Sequence, residues 1–103
     1  MNGRAQMIAL SCLLISTPVW SENIRIEIKA FLYSPKDLIV TAGTTVTWIN
    51  DDPAPHTIVG VNKTFRSPAL DTGDQYSYTF KTAGVFEYFC TLHPQMVGRV
   101  VVN

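Results

Sequence analysis

Three side chains able to bind a soft metal ion stand at every third position of the stretch Phe86-Glu87-Tyr88-Phe89-Cys90-Thr91-Leu92-His93-Pro94-Gln95-Met96. In a regular strand, neighbours at that spacing point to opposite faces. Cys90, His93 and Met96 therefore converge only if an extended segment ends at Cys90 and a loop then curls back on itself. The alternation of Phe86, Tyr88 and Cys90 directs the thiol to the face carrying two aromatics, inside the body of the fold. The only other histidine, His56, lies far upstream in Asp52-Pro53-Ala54-Pro55-His56-Thr57. A fold that uses all four donors must bring that segment to the end of a distant strand.

The rest of the chain supplies such a fold. Residues 24–30 alternate apolar and charged side chains with the period of a half-buried strand. Ser34-Pro35 marks a turn, 37–40 form a second strand, Thr41-Ala42-Gly43 turn again, and 44–50 are rich in β-branched and aromatic residues. Two prolines make 51–55 a loop that delivers His56. A short strand is expected over 56–60, then an irregular stretch over 61–71 with at most an edge strand, and a turn at Thr72-Gly73-Asp74. Strands follow over 75–80, 85–90 and 98–102, with a turn at 81–84. No segment holds a helical period, and seven to eight short strands separated by turn signals predict an all-β sandwich.

With 103 residues, 47% of them hydrophobic, the chain suffices for one domain. Eight basic residues balance eight acidic ones without a basic stripe, which excludes nucleic acid as a partner class. The first 21 residues read as a cleaved secretory signal: Arg4, an apolar run over 7–15, and Val19 and Ser21 at the positions a signal peptidase reads. That run is too short to span a bilayer as a retained anchor, and Ala9 stands where a lipidated Cys12 would need Leu. Residues 22–103 are then the mature domain, secreted and expected to be monomeric and free of the membrane. It keeps one Cys, one Met and two His, all within the candidate site. A lone cysteine in an oxidising compartment invites intermolecular disulfides unless a metal occupies it.

Singly, each donor has an ordinary reading: a loop histidine, a small buried hydrophobe, a methionine in the core. Jointly, His56, Cys90, His93 and Met96 form the His2Cys set with a weak axial thioether that suits copper. Zinc is the first alternative, but its structural sites draw on several Cys and His. An enzyme with Cys90 as nucleophile and a histidine as base is the second, and no third residue that would orient the base stands out in the sequence.

Pro35, Leu38, Val40, Gly43, Val46, Trp48, Asn50, Asp51 and His56, followed by Gly84, Phe86, Tyr88, Cys90, His93, Met96 and Gly98, resemble the cupredoxins over nearly the whole mature chain. The short loop Cys90-Thr91-Leu92-His93-Pro94-Gln95-Met96 looks most like that of the amicyanins. The resemblance implies a Greek-key β-sandwich holding one copper ion, Cu(I)/Cu(II), as a periplasmic electron carrier and not an enzyme. Amicyanins pass electrons from methylamine dehydrogenase to a c-type cytochrome, so transient redox partners are implied, docking on an apolar patch around His93 framed by Pro53, Pro55, Leu92 and Pro94. A periplasmic copper carrier or buffer would use the same four donors. Thr57 stands where the family commonly has Asn, and Leu92 where amicyanins typically have Pro, which leaves a backbone N–H beside the site.

Overall fold

The computed structural model describes residues 22–103, so the expected signal segment lies outside the described residues. Eight strands follow in order: β1 Asn23–Lys29, β2 Leu32–Ser34, β3 Asp37–Val40, β4 Thr44–Asn50, β5 Val59–Gly60, β6 Gln75–Phe80, β7 Gly84–Phe89 and β8 Val97–Val102. They form two four-stranded sheets, ordered β2-β1-β4-β6 and β3-β8-β7-β5. β1 runs parallel to β4, and β3 parallel to β8, while every other pairing is antiparallel. The expected all-β sandwich is the observed architecture, and none of the described residues is helical.

Period-two alternation decides which side chains meet between the sheets. In β1, Ile26 and Ile28 are buried while Arg25, Glu27 and Lys29 face out. Val46 and Trp48 of β4 do the same, and from the other sheet Tyr88 and Val100 join them in one core cluster. Trp48 is its hub, with ring centroids 5.4 Å from Tyr88, 5.9 Å from Tyr76 and 6.1 Å from Phe65. Aromatic rings of this kind bury roughly 150–250 Å² each, so a small domain gains much of its core from few residues.

Two glycines carry specific demands. Gly43 turns the chain into β4 at φ +98°, where L side chains are strained. Gly98 lies opposite Tyr88 across the β7–β8 ladder, and a methyl group there would fall inside the Tyr88 phenol.

The short strand expected over 56–60 shrinks to β5, and 61–71 forms no strand. The backbone donors of 56–58 are engaged elsewhere. His56 N–H reaches Leu70 O at 3.1 Å, Thr57 N–H reaches Cys90 Sγ at 3.4 Å, and Ile58 N–H reaches Ser67 Oγ at 2.8 Å. Residues 32–34, ahead of the turn expected at Ser34-Pro35, form an additional short strand, β2, paired with β1.

Candidate metal centre

The loop between β7 and β8 is shaped by its own backbone. His93 N–H donates to Cys90 O at 3.2 Å, and Met96 N–H donates to His93 O at 2.8 Å, making two successive three-residue turns. Side chains three apart eclipse one another in such turns, and the first turn sets the His93 imidazole beside the Cys90 sulfur, with Nδ1 3.6 Å from Sγ. Cys90 N–H closes the loop onto Met96 O at 3.1 Å.

His56 arrives from the other sheet's connection. Asn50, at the end of β4, donates through Nδ2 to Ala54 O at 2.9 Å and to Leu70 O at 2.8 Å, and accepts from Asp52 N–H at 2.9 Å. These bonds pin the proline-containing loop and set His56 in a fully buried position. The result joins residues far apart in the chain: His56 Nδ1 lies 3.8 Å from Cys90 Sγ, and His93 Nδ1 lies 3.6 Å from it. The ligand atoms of the three residues all fall within 4.8 Å of one another. For one ion at about 2.3 Å from sulfur and about 2.0–2.1 Å from nitrogen, as for zinc, tetrahedral to trigonal angles separate sulfur and nitrogen by about 3.6–3.8 Å. The donor set fits a single metal ion. Met96 is buried in the adjoining core.

The tautomer of His56 is fixed by a residue that the sequence did not single out. Asp52 Oδ2 accepts the Nε2–H of His56 at 2.7 Å, leaving the Nδ1 lone pair aimed toward the sulfur. A carboxylate behind a ligating imidazole both orients the ring and raises its donor strength. The imidazole hydrogen bond holds the Asp52 carboxyl below the usual carboxylate range, against the opposing effect of its burial.

Thr57 knits the two ligand segments together. Its N–H faces Cys90 Sγ, and its Oγ1 accepts the Thr91 N–H at 2.8 Å and lies 2.8 Å from Thr91 Oγ1. Its carbonyl accepts from the phenol of Tyr33 at 2.6 Å. Tyr33 stays a donor because burial pushes its ionisation up, helped by the neighbouring Cys90 and Tyr88. Burial would also raise the Cys90 thiol, but the Thr57 amide, the two imidazoles and the Leu92 amide outweigh it and bring it down to about 6. A thiol so lowered is a ready metal ligand.

Asp52, His56 and Cys90 also supply the orienting residue that a nucleophile reading lacked. Cys90 and His56 are both 0% exposed, however, so no substrate carbonyl reaches the sulfur. His93 is partly exposed, and Pro53, Pro55, Leu92 and Pro94 around the loops face solvent.

A family model described as copper binding proteins, plastocyanin/azurin family, matches residues 21–103. The chain belongs to this copper-binding family. Its cofactor is accordingly copper, on the donor set just described. Among members, an amicyanin of Paracoccus denitrificans is 39% identical over 83 residues, covering 76% of this chain and 63% of the relative. Amicyanin-alpha of Methylorubrum extorquens is 34% identical over 83 residues, covering 76% and 70%. The chain thus spans less than two thirds of the Paracoccus denitrificans relative's length. A purple cupredoxin from Nitrosopumilus maritimus superposes with a TM-score of 0.74 at 41% identity, covering 78% of this chain and 99% of that one. The family is one of type 1 copper electron carriers, as the sequence resemblance implied.

Proposed function

We propose that the mature domain, residues 22–103, is a periplasmic electron carrier that holds one copper ion through His56, Cys90, His93 and Met96, after removal of residues 1–21 as a signal peptide. The observation that carries this reading is the approach of two imidazole Nδ1 atoms to one buried sulfur, at 3.8 and 3.6 Å. When bound, copper supplies a Cu(I)/Cu(II) couple, and a set of two imidazoles, a thiolate and a weak thioether is tolerable to both states.

The protein's own residues hold that set still. Asp52 keeps His56 in the Nε2–H tautomer, Thr57 and Thr91 lock the two ligand segments in register, and the Thr57 amide supports charge on the sulfur. Met96 would complete the set as its weakest donor, through its thioether. Electrons would enter and leave beside His93, the more exposed imidazole, through the apolar rim of Pro53, Pro55, Leu92 and Pro94. A small rim of this kind suits the weak interfaces of transient redox encounters, with a dehydrogenase such as methylamine dehydrogenase as donor and a c-type cytochrome or oxidase as acceptor. The domain acts as a monomer.

Purified protein loaded with copper should show an intense visible band and a reversible one-electron potential. A colourless complex that binds Cu(I) tightly and hands it to an apo-acceptor would instead mark a copper carrier or buffer.

A further inference from the structure

The hairpin joining β1 to β2 is built against its own residue preferences. Lys29 pairs with Leu32, so Ala30 and Phe31 form a two-residue turn, and both have positive φ, 54° and 61°. Turns of this hand favour Asn-Gly. An alanine and a phenylalanine there adopt a conformation unfavourable to L-residues, and backbone held this way persists only where its surroundings over-determine it.

Those surroundings are the metal centre. Phe31 N–H donates at 3.1 Å to Asp52 Oδ2, the same oxygen that accepts from His56 Nε2. The Phe31 ring then lies edge-to-face against both imidazoles, with centroids 5.2 Å from His56 at 88° and 4.8 Å from His93 at 85°. The two imidazoles are themselves 4.9 Å apart. Phe31 remains 47% exposed, so its position is not explained by burial in the core. One carboxylate oxygen therefore fixes a ligand's tautomer and also the turn that sets an aromatic ring over both ligands.

We propose that Phe31 is a positioning residue for the copper site. Its ring, anchored through Asp52, holds the imidazoles of His56 and His93 in the orientation that turns both Nδ1 atoms toward Cys90, and it walls their outer side from water. The proposal rests on the copper reading above. Within it, Phe31 confines His93 most, because that imidazole sits on a loop and lacks a carboxylate partner among the described residues.

The test is the rate at which the full copper-loaded protein in its Cu(I) form loses metal to an excess of a bicinchoninate chelator. Phe31→Leu keeps apolar bulk without the aromatic ring and should release copper on the order of 10-fold faster, from the loss of two edge-to-face contacts. Phe31→Tyr should restore the slow rate. Leu32→Ala, at an exposed neighbour outside the imidazole contacts, should match the parent. Release from Phe31→Leu at the parent rate, or a Phe31→Tyr rate as fast as Phe31→Leu, overturns the assignment. Should Phe31→Leu fail to fold, proton NMR of the parent apoprotein decides: cross-relaxation from the Phe31 ring to both imidazoles supports the clamp, and its absence overturns it. A parent protein that binds no copper would instead refute the proposed function, while the apoprotein spectrum would still report on the clamp.

Discussion

Stripping the copper from this site leaves Cys90 as an internal gauge of its electrostatics. Burial favours the neutral thiol. Against it act the Thr57 amide at 3.4 Å, the imidazoles of His56 and His93 at 3.8 and 3.6 Å, and the Leu92 amide, and together they carry the thiol from 9.0 to about 6. At pH 7 a group titrating there is about nine-tenths ionised, whereas an unperturbed thiol is on the order of one-hundredth ionised. The folded apoprotein should therefore show thiolate ultraviolet absorbance with a midpoint near 6, and copper binding at pH 7 should release about a tenth of a proton from the thiol. Because the folded value lies below the unfolded one, the ionised thiolate stabilises the fold fully above about 9. That contribution declines as pH falls from 9 to about 6 and is gone below it, so over this window the thermal midpoint of the apoprotein should rise with pH from this group. His56→Ala, which removes one stabilising neighbour, should move the absorbance midpoint upward. A folded apoprotein whose thiol titrates near 9 would refute the claim that these neighbours outweigh burial.

Five other substitutions separate the parts of the structure. Gly98→Ala drives a methyl group into the buried Tyr88 ring, an overpacking cost of about 1–3 kcal/mol that should lower the apoprotein melting temperature by about 5–20 °C; Gly43→Ala, strained but with open space around it, should cost about 1 kcal/mol, and equal melting of the two would sink the argument. Asp52→Ala frees the His56 ring and should weaken copper about 10- to 100-fold in chelator competition; parent-like affinity would show that the loop alone orients the imidazole. Leu92→Pro removes an amide that favours the thiolate, which should strengthen the sulfur as a donor to Cu(II) and lower the potential by on the order of 50 mV, and a raised potential would contradict it. Leu92→Lys places a charge in the exposed rim and should slow electron self-exchange while leaving the visible band intact; unchanged exchange would argue against that patch.

β1 was legible because its inner positions are buried and its charged ones are not, and β4, β6 and β7, marked by β-branched and aromatic residues between turn signals, likewise lie within a residue or so of their expected bounds. The segment 56–58 misled for a physical reason. Its composition suits a strand, yet its N–H groups are drawn to Leu70, Cys90 and Ser67 rather than to a neighbouring ladder. The donor spacing Cys90, His93, Met96 was readable as a curling loop, and His56 joined it as the only other histidine. Asp52 was not readable. It sits beside Asp51 in the sequence, and only the fold distinguishes them, burying Asp52 against His56 while Asp51 faces solvent. Phe31 was hidden for a similar reason, since Ala30-Phe31 carries none of the Asn-Gly chemistry that announces a tight hairpin turn.

The uneven spread of the four proposed donors along the chain has a consequence for assembly. Cys90, His93 and Met96 share one seven-residue loop, so a chain that has not yet folded still offers an ion three of its four contacts, and only His56 must wait for the sheets to meet. An ion held by the denatured ensemble too lends the native state less thermodynamic advantage than its native affinity alone would suggest. Metal capture can then precede folding, with the arrival of one imidazole completing the coordination sphere.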